Sequence, residues 1–166
     1  MGNALLEDDL FGENESCEPL IRWVTFQLEQ EIYGVLVNKV REILRINSIS
    51  PVPGAPDYII GITNIRGNVV SVIDGRKRIN LMPVEYTDLS RMIVMESEDD
   101  IVAVVVDRVA NIIDLPESSI DSNPKLSKSD ASKYISGVIT HTDELIIILD
   151  SDKFITDEQC EMVAGF

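Results

Sequence analysis

The chain has 166 residues, of which 45% are apolar and only 5% aromatic. A chain of this length forms one domain, or two small ones that share a core, and a core rich in valine and isoleucine favours β-strands. The 29 acidic and 14 basic residues give a formal charge of −15, which argues against binding to nucleic acid or anionic lipid.

The N-terminal segment 1–19 differs from the rest of the chain. It is polar and without periodicity, it holds six acidic and no basic residues, and it ends at Pro19. This composition predicts a disordered acidic tail over 1–19, followed by a folded domain over 20–166. The two cysteines, Cys17 and Cys160, belong to no CxxC or Cys/His cluster. Two free thiols in a reducing cytosol are therefore expected, and no stretch approaches the roughly 18 apolar residues of a membrane span.

Alternating apolar residues after the tail predict a series of β-hairpins. Val40 and Ile43, three positions apart, indicate one helical turn, and the prolines between 51 and 56 exclude regular structure there. A short helix is expected over 127–133 and a C-terminal helix over 150–165, with Asp150 or Ser151 as its N-cap. The predicted hairpins pair 23–28 with 32–37, 59–65 with 68–73, 91–96 with 101–106, and 134–140 with 145–149, and 111–115 adds a strand.

An internal repeat organises these hairpins. The segment 23–46 aligns with 92–115 without a gap, and the segment 58–74 aligns with 134–150. The sequence Tyr-Ile-x-Gly occurs in both copies, at 58–61 and at 134–137. We therefore predict an all-β fold of two pseudo-repeated five-stranded barrels that share a core, because closure removes exposed sheet edges. The barrels are placed at about 30–85 and 91–150, with an exchange of strands between them left open.

The residues that commonly carry catalysis or metal binding form no recognisable pattern. His141 is the only histidine, which supports neither a Cys/His metal site nor a Ser/His triad, and there is no Walker loop and no GxGxxG. We therefore expect no metal, no cofactor and no catalytic residue. A pair of carboxylates brought together by the fold, as in an acidic hydrolase, stays open as an alternative.

Comparison of the two repeats singles out Glu42 and Arg66. Their counterparts in the second repeat are Asn111 and Thr142, so the opposite charges occur together in one repeat and are absent together from the other. Our hypothesis is that the two side chains form an ion pair or a shared polar site, and the alternative is two unrelated surface charges. Gly67 suits a turn with positive φ, and Asn64 can cap it.

At these residues the chain resembles the CheW family of chemotaxis coupling proteins, over about 21–156. The order and context of Gly-x-x-Asn-x-Arg-Gly, at 61–67, make the resemblance specific. Ser71 and Gly75 depart from it, since Pro and Leu are usual there, and the long acidic tail is also untypical. The resemblance is carried by Phe26 with Tyr33-Gly34, Val40-Arg41-Glu42-Ile43, Ile49-Ser50-Pro51-Val52-Pro53, the stretch 60–67, Val72-Ile73-Asp74 with Arg76, and Val105-Val106-Asp107-Arg108-Val109.

The resemblance implies SH3-like barrels and a non-enzymatic adaptor. Such an adaptor joins the cytoplasmic tip of methyl-accepting chemoreceptors to the regulatory domain of the histidine kinase CheA. It is cytoplasmic and recruited to receptor arrays at the membrane, and the receptor tip lies in an apolar groove between the barrels. The family's site residues, carried over by position, are kinase-binding Val37, Asn38 and Val40, and receptor-coupling Glu42, Gly61, Asn64 and Arg66.

Other functions stay open beside this one. The same fold could serve a two-component pathway outside chemotaxis that controls pili or development, or it could be a regulatory fragment of a larger kinase. The acidic hydrolase is the third alternative, and a turnover screen with glycoside and ester substrates would separate it from an adaptor.

Overall fold

The computed structural model describes residues 18–97, 100–121 and 134–155, which form strands and a few short helices. Helix α1 is Gly75–Arg78, helix α2 is Ser151–Ile155, and 3-10 helices occupy Val37–Lys39 and Glu117–Ser119. The predicted helix over 127–133 lies outside the described residues, as does the predicted C-terminal helix beyond residue 155. The strands are β1 Leu20–Leu28, β2 Glu31–Leu36, β3 Val40–Arg45, β4 Ile59–Ile65, β5 Asn68–Asp74, β6 Arg91–Ser97, β7 Asp100–Val106, β8 Arg108–Pro116, β9 Ile135–His141 and β10 Glu144–Leu149.

The four predicted hairpins are present as β1–β2, β4–β5, β6–β7 and β9–β10, all antiparallel. Two of them turn through paired residues with positive φ, Arg66 and Gly67 at 52° and 87°, and Thr142 and Asp143 at 48° and 65°. Two consecutive residues of this conformation match the right-handed twist of the flanking strands. Local sequence therefore sets these hairpins.

The helical turn predicted from the spacing of Val40 and Ile43 is wrong. The chain makes its 3-10 turn earlier, at Val37–Lys39, and Val40–Arg45 is strand β3, paired with β6. Its residues alternate between half-buried and exposed along the strand, a period of two. Pairing with β6 supplies the backbone hydrogen bonds that a single helical turn would otherwise have to provide.

The ten strands form two sheets, with the orders β8-β1-β2-β10-β9 and β3-β6-β7-β5-β4. The hairpin β1–β2 therefore pairs with strands of the second repeat, through the parallel pair β2–β10 and the antiparallel pair β1–β8. A second parallel pair, β5–β7, lies in the other sheet. Strands are thus exchanged between the repeats. The division of the chain at residues 19, 30, 85, 91 and 150 stays a prediction.

Each sheet curls, and the segment that follows its outer strand bridges to the opposite outer strand. Ser50 and Ile62 exchange two backbone hydrogen bonds of 2.8 Å, and Asp121 and Val138 exchange two of 2.8 and 3.0 Å. These bridges link β3 to β4 and β8 to β9 through the intervening chain. We call the two units the β1 barrel (β8, β1, β2, β10, β9) and the β3 barrel (β3, β6, β7, β5, β4).

The predicted repeat is confirmed at the level of single hydrogen bonds. The amide of Asp74 donates to the carbonyl of Tyr58 at 2.8 Å, and the amide of Asp150 donates to the carbonyl of Tyr134 at the same distance. These are the residues that the alignment of 58–74 with 134–150 makes equivalent. The all-β fold of two pseudo-repeated five-stranded units is confirmed with them.

Central strands are buried on both faces, so successive residues enter different cores. On β7, Ala103 and Val105 fill the β3 barrel, whereas Val102, Val104 and Val106 face a core shared with the β1 barrel. On β10, Ile146 and Ile148 fill the β1 barrel, and the residues between and after them face the shared core. The shared core, which also contains Phe26, Tyr33, Ile93 and Phe154, joins the two barrels.

Candidate functional site

A β-bulge on strand β3 places the side chain of Glu42. Val40 pairs with Met95 and Glu42 pairs with Val94, so Arg41 is an extra residue without a partner position on β6. A bulge bends the strand locally and redirects the side chains beside it. The Glu42 side chain, 23% exposed, consequently lies at the open end of the β3 barrel.

The second repeat has the same bulge with a different side-chain partner. There Asn111, the counterpart of Glu42, is fixed through its backbone by the Thr25 hydroxyl. This hydroxyl accepts from the amide of Asn111 at 2.9 Å and donates to its carbonyl at 2.8 Å. The repeat thus keeps the backbone feature in both copies, whereas the charged side chain occurs only at Glu42.

The tight turn between β4 and β5 presents Arg66. Arg66 and Gly67 occupy its two central positions, and the side-chain oxygen of Asn64 accepts a 3.0 Å hydrogen bond from the amide of Gly67. Asn64 therefore has the capping role that the sequence predicted. A turn fixed in this way holds the base of the Arg66 side chain in one position.

Glu42 and Arg66 form a two-pronged ion pair. Nη2 of Arg66 donates to Oε1 of Glu42 at 2.7 Å, and Nε donates to Oε2 at 3.1 Å. The hydrogen bonds from Arg66 lower the pKa of Glu42, so the pair is charged at neutral pH. The hypothesis of a pair between these two side chains is confirmed. Because Arg66 is 74% exposed, the pair contributes little stability, and its defined geometry at the surface suits recognition.

The ion pair borders a small hollow at the mouth of the β3 barrel. The floor is apolar, with Val70 and Val94 at 3% and 1% exposure, and Ile65 and Ile101 complete its apolar wall. Arg41 lines the same hollow, and its Nη1 lies 3.4 Å from Oε1 of Glu96. The site thus combines oriented charges with an apolar floor, which is the chemistry of a protein-binding surface.

Gly61 lies where two segments cross. A Cβ at this position would collide with the carbonyl oxygen of Ser50 and lie 2.8 Å from Cγ2 of Ile49. The φ of Gly61, 155°, is also one that side chains rarely allow. Gly61 thus permits the close bridge between Ser50 and Ile62, which holds the 47–50 segment against strand β4.

The predicted kinase-binding residues lie directly before the bulge. Val37 and Asn38 belong to the 3-10 helix, and Val40 begins strand β3. Val37 and Val40 are half-buried and pack on the shared core, while Asn38 is exposed. The structure therefore places this group and Glu42 on one continuous segment, 37–42.

Six residues that line the hollow were absent from the predicted site residues: Arg41, Ile65, Asn68, Val70, Val94 and Ile101. Arg41 and Asn68 neighbour predicted site residues in the chain, so a search around the motif would have found them. Ile101 is far from Glu42 in sequence, and only the pairing of β6 with β3 and β7 brings it near. No local signal in the sequence marks it.

Two other features are absent from the parts of the chain that the structure describes. Within 18–97, 100–121 and 134–155, no group of three or more His, Cys, Asp or Glu side chains could hold a metal ion. None of the helices in those residues is long and apolar enough to cross a membrane.

The chain is similar to known chemotaxis proteins over most of its length. Residues 22–159 match the model of the CheW-like domain. A chemotaxis protein CheW of Treponema pallidum is 30% identical over 148 residues, which cover 86% of each chain. One from Bacillus subtilis is 31% identical over 140 residues, covering 84% of this chain and 90% of the relative.

A solved structure is similar as well. The crystal structure of the scaffolding protein TtCheW from Thermoanaerobacter tengcongensis is 29% identical and has a TM-score of 0.76. The match covers 84% of this chain and 95% of that one. The family model, the curated relatives and the fold agree with the motif at residues 61–67, and this chain belongs to the CheW family of chemotaxis proteins.

Proposed function

We propose that the protein is a non-enzymatic adaptor that links the cytoplasmic tip of chemoreceptors to the histidine kinase CheA. It works in the cytoplasm and is recruited to receptor arrays at the membrane. Membership of the CheW family supports the proposal, as does the similarity to TtCheW, which is described as a scaffolding protein. The single observation that carries it is the ion pair of Glu42 and Arg66 beside an apolar hollow.

The receptor-coupling surface consists of Glu42, Gly61, Asn64 and Arg66. Glu42 orients the exposed guanidinium of Arg66, and Asn64 fixes the turn from which it projects. A guanidinium held in one orientation loses less entropy when it meets a partner's carboxylate or carbonyl oxygen. Gly61 contributes by keeping the 47–50 segment close to β4.

The kinase-binding surface consists of Val37, Asn38 and Val40. The two valines offer an apolar contact that is already ordered by the shared core, and Asn38 offers an exposed amide. Small apolar contacts of this kind bind weakly one at a time. Repetition in an array strengthens them, because each further contact is made within the same assembly.

The experiment that tests this function is a kinase reconstitution. Purified CheA and a receptor cytoplasmic fragment from the same organism are mixed with and without the protein, and kinase autophosphorylation is measured. We expect receptor-dependent stimulation that requires the protein. A folded sample that neither stimulates the kinase nor co-elutes with either partner would refute the adaptor function.

Charge reversal then tests the site. Glu42→Arg and Arg66→Glu should each reduce co-elution with the receptor fragment, because the first repels the Arg66 guanidinium and the second puts a carboxylate in its place. The matched control reverses Arg22 and Asp114, an exposed ion pair of 2.8 Å on the β1 barrel, and should leave receptor binding unchanged. Equal losses in both sets of variants would show that net surface charge, rather than this pair, governs binding.

A further inference from the structure

A buried arginine lies between aromatic rings at the junction of the two barrels. Arg78, at the end of helix α1, is 5% exposed. The carbon of its guanidinium lies 4.3 Å from the ring centroid of Tyr58, 4.5 Å from that of Tyr134 and 5.9 Å from that of Phe154. Its Nε also donates a 2.9 Å hydrogen bond to the carbonyl of Phe154. We call these four residues the Arg78 cluster.

The cluster combines equivalent positions of the two repeats. Tyr58 is equivalent to Tyr134 in the repeat, and continuing the same alignment makes Arg78 equivalent to Phe154. The cluster therefore lies at the contact between the two repeats, where equivalent residues of both copies come together. Only one of the two equivalent positions carries a cation, so one guanidinium contacts both tyrosines.

Each member of the cluster is attached to a particular barrel. Tyr58 precedes β4, and Arg78 ends the helix that follows β5, so both belong to the β3 barrel. Tyr134 precedes β9, and Phe154 lies in helix α2 after β10, so both belong to the β1 barrel. The contacts of Arg78 with Tyr134 and Phe154 therefore cross from one barrel to the other.

The chemistry of the cluster restricts relative rotation of the barrels. A guanidinium is planar, and its attraction to ring faces and to a carbonyl depends on both distance and orientation. An aliphatic side chain in the same place could slide against the rings with little change in energy. The hydrogen bond from Nε of Arg78 to the carbonyl of Phe154 also restricts the orientation of helix α1 relative to helix α2.

We propose that Arg78 is a positioning residue that holds the two barrels at a fixed angle and that receptor coupling requires this angle. The second part rests on the proposed function, in which the receptor-coupling residues lie on the β3 barrel and the kinase-binding Val37 and Val40 pack on the core that it shares with the β1 barrel. A fixed angle between the barrels keeps the two surfaces in one relative orientation, and a variable angle would cost entropy when both partners are bound at once.

The angle is measured directly, without partners. Spin labels are attached at Val69→Cys on the β3 barrel and Leu145→Cys on the β1 barrel, which are 67% and 47% exposed. Cys17 and Cys160 are replaced by Ser. Pulsed dipolar spectroscopy should give one narrow distance distribution for the parent protein and a broader or shifted one for Arg78→Met.

Two further variants separate positioning from stability. Tyr58→Leu keeps Arg78 and removes one ring, and should broaden the distribution even if Arg78→Met does not fold. Ile139→Val removes a buried methyl group inside the β1 barrel, away from the cluster and from the hollow, and should leave the distribution narrow. An unchanged distribution in both cluster variants, or equal broadening in Ile139→Val, would overturn the role of Arg78.

Kinase stimulation tests the second part. At a temperature where circular dichroism shows each variant folded, Arg78→Met should lose about fivefold or more of receptor-dependent stimulation, whereas Ile139→Val should keep it. A broadened distribution with full stimulation would overturn the link to coupling. Absence of stimulation in the parent protein would refute the proposed function instead, while the distances would still support or overturn the positioning by Arg78.

Discussion

Arg76 and Asp107 form an ion pair that ties helix α1 to the end of strand β7. Nη2 of Arg76 donates to Oδ2 of Asp107 at 2.7 Å, and Nε donates to Oδ1 at 2.9 Å. Oδ2 also accepts a 2.8 Å hydrogen bond from the amide of Glu29, in the turn between β1 and β2. Asp107 therefore connects the β3 barrel to the β1 barrel. The two side chains are only 13% and 25% exposed.

Replacement of Asp107 should destabilise the fold. Asp107→Ala leaves the Arg76 guanidinium and the Glu29 amide without this acceptor, at a cost of about 2–3 kcal/mol in the free energy of unfolding. Urea unfolding followed by circular dichroism measures it. Asp114→Ala, which breaks the exposed pair with Arg22, is the control and should leave the midpoint almost unchanged. Equal shifts of the urea midpoint in both variants would show that the partly buried Asp107 pair stabilises the fold no more than the exposed Asp114 pair does.

Gly61→Ala should destabilise the protein by about 2 kcal/mol or more, because the new methyl group collides with the Ser50 carbonyl and the backbone φ is unfavourable. Gly67→Ala is the matched control, since Gly67 also has a positive φ, 87°, but nothing lies within 4 Å of its Cβ position. Thermal unfolding should therefore show a larger loss for Gly61→Ala. A loss no larger than that of the control would mean that the Ser50 segment moves away at little cost.

The lowered pKa of Glu42 gives the ion pair a defined pH dependence. A carboxyl group whose pKa is lower in the folded state stabilises the fold above its ordinary pKa, and this contribution is lost as pH falls through the lowered value. Carbon-13 NMR titration should find a depressed pKa for Glu42 and a higher pKa for it in Arg66→Ala, where the hydrogen bonds from Arg66 that lower it are absent. Asp114, whose pKa is lowered by hydrogen bonds from Arg22, should be unaffected by that change. An unaltered Glu42 pKa in Arg66→Ala would show that the pair does not persist in solution.

Much of the local structure could be predicted because hairpins depend on near neighbours. Alternating apolar residues and short polar turns located all four hairpins. The spacing of Val40 and Ile43 misled the prediction, because on strand β3 Val40 is half-buried whereas Ile43 is exposed, so the two do not share one buried face. In that segment the pairing with β6, a distant strand, overrode the local pattern.

The site was predictable to a similar extent. The repeat acted as an internal control, since Glu42 and Arg66 both lacked charged counterparts, and the ion pair confirmed the inference. Ile101 and Arg78 carried no such signal. Their importance depends on which side chains surround them, and those side chains come from distant parts of the chain.

The sequence by itself determined the hairpins, the two-fold repeat, the family and the pair of charges, because each depends on residues that are close in the chain or matched between copies. Only the tertiary structure decided that β1 and β2 join β8, β9 and β10, and that the barrels meet around Arg78. The central strands are apolar on both faces, so their composition fits several neighbours equally well. The choice among those neighbours is made by the packing of the whole shared core.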